Sequence, residues 1–205
     1  MACIIFILMV SYSVIYGETD KNKEPIVRFD AHKDINVYIE DAPLQVELAE
    51  HKIIDADYKG YEITAFAEFS LKARVLSTKN YFSQIMPVDF VLGWQEMSKD
   101  EVVKRVVTYQ SKRKAIKKYP RDIIGERLQE IKTQSANMHM VPLNEEINEK
   151  LLAVRKFDVV QIEGYLVNIA STNGLKWKSS KTRSDTGDGA CEIVLVTSIN
   201  IVEPK

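Results

Sequence analysis

The clearest pattern in the chain runs from Tyr61 to Leu76. Tyr61, Ile63, Ala65, Ala67, Phe69, Leu71, Ala73 and Val75 are apolar at every second position, with mostly Glu, Thr, Ser, Lys and Arg between them. A period of two means a strand with one face buried. The run is long for one strand, so it predicts a strand that curls around a barrel or crosses two sheets. Residues 158–169 (DVVQIEGYLVNI) read as a second strand, with Gly164 at a bulge or bend. Asn173-Gly174 is a two-residue turn signal, and 175–180 (LKWKSS) is expected to pair back across it. After a polar loop at 181–189, residues 191–202 (CEIVLVTSINIV) read as a buried final strand. A further short strand is expected at Ile35–Glu40.

Three short helices complete the pattern. Ser98 and Glu101 have capping-box spacing ahead of Val102, Val103, Val106 and Val107. Residues 122–132 place Ile124, Leu128 and Ile131 at helical spacing. Asn144 is positioned to cap a third helix whose Ile147, Leu151 and Val154 face inward. Together these elements predict an α+β domain over residues 26–205, β-rich over 155–203. Its core is a curved, mostly antiparallel sheet or a small OB/SH3-like barrel with two or three short helices.

Residues 1–17 (MACIIFILMVSYSVIYG) carry no charged side chain, and Glu18 is the first charge. The run is shorter than the ~20 residues of a membrane span and fits the apolar region of an export signal. It lacks the usual leading Lys or Arg, which leaves two explanations: a start further upstream, or an uncleaved anchor formed by residues 2–16. Residues 18–25 read as a polar tether. The expected location is the periplasm or outside the cell, and without the leader Cys191 is the only thiol. A single cysteine in an oxidising compartment packs, cross-links two copies into a homodimer, or reacts.

With 28 basic and 29 acidic residues the net charge is -1, which excludes a global attraction to nucleic acid or acidic lipid. Two cysteines and three histidines argue against a disulfide framework or a zinc site, and no cofactor or metal is expected. Charge is uneven locally. From Lys99 to Arg121 there are nine basic residues and two acidic ones, centred on Lys112, Arg113 and Lys114. Such a patch suits an anionic polymer, a lipid surface or an envelope protein, although a solvated face has the same composition.

The densest polar segment is 179–192 (SSKTRSDTGDGACE). Ser179, Ser180, Arg183 and Asp185 are its candidate binding residues; plain turn chemistry at Asp185 and Asp188 is the alternative. Asp185-Thr186-Gly187 spells the aspartic-protease triplet, but no second Asp-Thr-Gly or Asp-Ser-Gly is present to complete a dyad. In residues 135–142 (SANMHMVP), Ala136, Met138 and Met140 alternate with Asn137 and His139. His139 could serve Cys191 as base to nucleophile, with Asn137 or Asp185 orienting the imidazole. The bland alternative is a polar edge strand with a hydrogen-bonded histidine and a packed cysteine.

Four segments also resemble a family of uncharacterised exported or membrane-anchored bacterial proteins: Ser135-Ala136-Asn137-Met138-His139, Gly164-Tyr165-Leu166-Val167, Trp177-Lys178-Ser179-Ser180, and 182–192 (TRSDTGDGACE). The resemblance spans about residues 85–200 and implies bacterial origin and export. It carries no known activity and so assigns no catalytic residue. Phe157 departs from it, since glycine is more typical there. The expected function is a non-catalytic binding or interaction module of the cell envelope. The alternative is a cysteine-dependent hydrolase or acyl transferase using Cys191 and His139.

Overall fold

The computed structural model describes residues 37–54, 58–182 and 191–202. Nine strands and three short helices are found among them. The strands are β1 (Leu44–Ile53), β2 (Tyr61–Asn80), β3 (Val88–Gly93), β4 (Val107–Ser111), β5 (Lys114–Lys118), β6 (Ser135–Pro142), β7 (Val159–Ser171), β8 (Lys176–Trp177) and β9 (Glu192–Val202). The helices are α1 (Asp100–Val103), α2 (Gly125–Thr133) and α3 (Glu145–Ala153), and a single 3-10 turn spans Gln95–Ser98. This is the α+β class with a curved, mostly antiparallel sheet and short helices. No described helix is long and apolar enough to cross a membrane.

The alternating run forms β2, which is long enough to pair with three neighbours. It lies antiparallel to β1, to β3 through its C-terminal end, and to β7 from Tyr61 to Arg74. The seven-stranded order is β1-β2-β3-β6-β9-β7-β8, and the extra β2–β7 pairing closes a circuit β2-β3-β6-β9-β7-β2. All five strands of the circuit feed one apolar cluster. Phe69, Leu71 and Val75 come from β2, Phe90 and Leu92 from β3, Met138 and Met140 from β6, Ile162 and Leu166 from β7, and Val194 and Val196 from β9. Ile147 and Leu151 of α3 join it. Burying a large aliphatic or aromatic side chain contributes ~1.5–3 kcal/mol each, so this cluster supplies a large share of the fold's stability.

Gly164 sits where the β7–β9 register shifts, as its sequence position predicts. A Cβ there would lie 1.9 Å from the Leu195 carbonyl oxygen, so the two backbones approach too closely for any side chain. Asn144 caps α3, its side-chain oxygen accepting from the Ile147 N–H at 3.0 Å. The Asn173-Gly174 turn also forms, with Gly174 at φ +90°.

Four local expectations fail. The described part of the expected Ile35–Glu40 strand, 37–40, is coil and turn. Ser98 does not cap α1; it ends the 3-10 turn, its hydroxyl donating to the Gln95 carbonyl at 2.7 Å, and Lys99 takes the cap position. Of 175–180 only Lys176 and Trp177 pair back, because Ser179 and Ser180 turn away to bond the base of the following loop. β6 is no edge strand, since it lies between β3 and β9.

Candidate functional site

Three adjacent strands bring the chemistry together on the outer face of the sheet. In the β3–β6 ladder Asp89 stands directly opposite His139, and Val91 opposite Asn137. Cross-strand partners share a face, and so do residues two apart along a strand, so Asp89, Asn137 and His139 all point outward. β6 and β9 run parallel with Met138 level with Glu192, which sets Cys191 beside Asn137 at the entry to β9. The alternating residues Met138 and Met140 point the other way, into the core.

His139 Nδ1 lies 2.9 Å from Asp89 Oδ1, in an ion pair whose N–H is not aimed squarely at the oxygen. Asp89 is completely buried. Burial alone would push the imidazole pKa down. The Asp89 carboxylate, together with a hydrogen bond to Cys191, outweighs it and raises the pKa to about 9. The imidazole is therefore protonated at neutral pH, paired with the Asp89 carboxylate and with the Cys191 thiol nearby.

The β4–β5 hairpin covers this face. Lys112 and Arg113 form its two-residue tip, both with positive φ (48° and 60°). Asparagine and glycine normally occupy such turns; here two long cationic residues accept the strained conformation. The result aims Arg113 inward. Its guanidinium bonds Asp89 Oδ1 at 2.9 Å and the Met86 carbonyl at 3.1 Å, and stacks 4.0 Å from the Tyr81 ring centroid. Burial and the nearby Asp89 raise the Tyr81 hydroxyl's pKa, partly offset by Arg113. The Arg113 carbonyl accepts from Asn137 Nδ2 at 3.0 Å and lies 3.9 Å from Cys191 Sγ. Further along the hairpin, Lys117 Nζ bonds the Ser135 hydroxyl and carbonyl oxygens at 2.8 and 3.1 Å. Burial lowers its pKa to about 8, with Glu192 acting in the opposite direction.

Asn137 departs from its expected role. It does not orient the imidazole. Its Nδ2 donates to Cys191 Sγ at 3.4 Å, and its Oδ1 accepts from Gln110 Nε2 at 2.9 Å. Asp89 faces the imidazole instead. Sequence reasoning missed it, although a carboxylate inside the otherwise apolar VDFVLG strand was a signal that a partner was needed. Cys191 lies near enough to His139 to help raise the imidazole's pKa. Asp185 and Arg183 lie outside the described residues.

The other candidate binding residues divide. Ser179 and Ser180 are buried and structural: the Ser179 hydroxyl accepts from the Ile193 N–H at 3.0 Å, and the Ser180 N–H donates to the Cys191 carbonyl at 3.0 Å. They anchor the loop base beside the thiol and present no open binding surface. Arg113 is turned into the site, whereas Lys112 and Lys114 are exposed at the tip. Among the described residues, no group of three His, Cys, Asp or Glu side chains is placed to hold a metal ion. No protein-family model, curated protein or solved structure matches this chain significantly.

Proposed function

We propose that the protein is a thiol-dependent hydrolase or acyl transferase with Cys191 as nucleophile, His139 as acid and base, and Asp89 as the group that orients and charges the imidazole. The observation that carries the proposal is the register of three neighbouring strands, which sets carboxylate, imidazole and thiol in sequence on one face. Nucleophile, base and orienting group in contact are the recurrent arrangement of covalent catalysis, recognised by geometry and not by chain order.

The chemistry balances with these groups alone. From the thiolate–imidazolium form of the pair, the Cys191 sulfur forms a bond to the acyl carbon of R–CO–X, and the C–X bond breaks as His139 gives its proton to X. Water or another acceptor then attacks the thioester, His139 takes the acceptor's proton, and the C–S bond breaks to restore the thiolate. With Nδ1 facing Asp89, Nε2 is the ring nitrogen assigned to exchange the proton.

The five-strand circuit supports reading the sheet as a small OB-like barrel. Such barrels take ligands on the face of their second and third strands. β3 and β6 hold those places here, and Asp89, Asn137 and His139 lie on them. That is an architectural analogy, and the chemistry of the site weighs more.

A second reading, a non-catalytic binding or interaction module of the bacterial cell envelope, rests on the exposed Lys112 and Lys114 at the hairpin tip. Its partner would be an anionic polymer, a lipid surface or another envelope protein. Both readings take the protein to be exported, on the strength of residues 1–17.

Iodoacetamide labelling at neutral pH decides between them, using the full chain with Cys3→Ser so that the label reports Cys191 alone. The enzyme reading expects labelling of the folded protein that slows at least ~10-fold in His139→Gln and in Asp89→Asn. Labelling only after denaturation, or equal rates in all three proteins, overturns it in favour of the binding module.

A further inference from the structure

Behind the thiol runs a line of side chains that the Cys–His–Asp reading does not use. The Ser77 hydroxyl donates to Gln110 Oε1 at 3.0 Å, Gln110 Nε2 donates to Asn137 Oδ1 at 2.9 Å, and Asn137 Nδ2 donates to Cys191 Sγ at 3.4 Å. Each bond runs in the same direction, toward the sulfur. Gln110 and Asn137 are both buried.

The line has a structural origin. The β2–β3 register shifts between Val75 and Ser77, so Ser77 pairs with Val91 and joins the outer face. β4 places Gln110 over that face, between Ser77 and Asn137. A primary amide can usually rotate to exchange its oxygen for its nitrogen. Here Gln110 offers Asn137 a donor and the Arg113 carbonyl offers it an acceptor, so one orientation satisfies both. The Asn137 NH2 is thereby fixed on the sulfur side.

Resting on the thiol-enzyme reading, we infer that Asn137 is the oxyanion donor of this site, that Gln110 and Ser77 are its positioning residues, and that the substrate is an acyl compound with a planar carbonyl. When Cys191 Sγ bonds a carbonyl carbon, the negative charge develops on the oxygen one atom from the sulfur. An amide N–H already fixed beside the sulfur meets that charge without reorganising. Preorganised donors of this kind change rates by ~10²–10³ when removed. An SN2 alkylation of the same sulfur develops no such oxyanion and loses only the donor's weak contact with the sulfur.

The test therefore compares two reactions of one thiol in the full chain with Cys3→Ser: acylation by p-nitrophenyl acetate, read as the nitrophenolate burst, and alkylation by iodoacetamide. Asn137→Ala should slow acylation ~100-fold and leave alkylation within ~3-fold of the parent. Gln110→Met keeps the side-chain length and removes both hydrogen bonds; it should slow acylation ~10-fold with alkylation again unchanged. A purely structural role would move the two rates together. Should Asn137→Ala disturb folding, Asn137→Leu keeps the branched shape without charge while losing the donor and must give the same split.

If the parent acylates and these variants acylate equally fast, or if both reactions slow in parallel, the inference is overturned and the nucleophilic role of Cys191 stands. A parent protein that neither acylates nor alkylates overturns the thiol-enzyme reading itself, and with it this one.

Discussion

The two faces of β3 and β6 make a useful contrast. Toward the inside, Phe90, Leu92, Met138 and Met140 join an apolar cluster supplied by every strand of the circuit. Toward the outside, Asp89, Asn137 and His139 form a polar network under the hairpin with Gln110, Arg113 and Cys191. The inner face is held by area removed from water, which depends little on which neighbour supplies it. Around the site the outer face is held by directed contacts between charged and polar groups, each of which needs one particular partner, while Val91 and Val141 on the same face join separate apolar clusters. Loss of a group should therefore lower stability generally on the first face, and change titration and reactivity on the second.

The largest effect belongs to the inner face. Phe69 is 1% exposed and lies opposite Gly164 in the β2–β7 ladder, so its ladder partner contributes no side chain to the space it fills. Phe69→Ala should cost about 4 kcal/mol in denaturant unfolding. The fraction that remains folded should label at Cys191 at the parent rate. A large change in that rate would mean that the two faces are mechanically coupled and that the contrast is false.

Next comes the titration of the outer face. The folded pKa of His139, about 9, lies above its ordinary value of 6.5. Its contribution is thus fully present below pH ~6.5 and is lost as pH rises toward 9, amounting to about 3 kcal/mol for this shift. Lys117 runs the other way. Its folded pKa of about 8 lies below the usual 10.5, so part of the loss is recovered between pH 8 and 10.5. Stability should fall from pH 6.5 to 8, level off to about pH 9 and rise again toward 10.5. His139→Gln should remove the fall, and Lys117→Met the recovery. A parent whose stability stays level between pH 6.5 and 8 would break the account of Asp89 and His139 as a charged pair.

How much of this was legible follows from the same contrast. The inner face is written along each strand as alternation, so β2, β7, β9 and the Gly164 bulge could be read one segment at a time. So could α3, whose cap and apolar positions lie within ten residues. The outer face is written between strands. Nothing local to Asp89 says that it will stand opposite His139, and nothing local to Gln110 says that a hairpin will lay it across Asn137. Cys191 and His139 could be suspected because thiols and imidazoles are scarce here. Their partners belong to common residue types and became visible only through register.

The smallest effect concerns strain, which occurs on both sides of the contrast. Phe157 has φ +78°, half exposed, where the chain turns into β7 and its N–H donates to the Val75 carbonyl at 2.7 Å. Left-handed backbone costs a residue with a side chain ~1–2 kcal/mol, whereas glycine adopts it freely at a smaller entropic cost. Phe157→Gly should therefore stabilise the fold by ~0.5–1 kcal/mol, less whatever the Lys156 contact with the ring supplies. Cys191 labelling should not change, because this turn bears on nothing in the site. Lys112 and Arg113 carry the same kind of strain at the hairpin tip, but there it aims a guanidinium at Asp89 and a carbonyl at Asn137. Relieving it with Arg113→Gly should remove the guanidinium from Asp89 and alter the Cys191 labelling rate, even if the turn itself relaxes. Equal labelling in both glycine variants would mean that the strained tip is incidental to the thiol, and would reduce the outer face to a polar patch that happens to contain a cysteine.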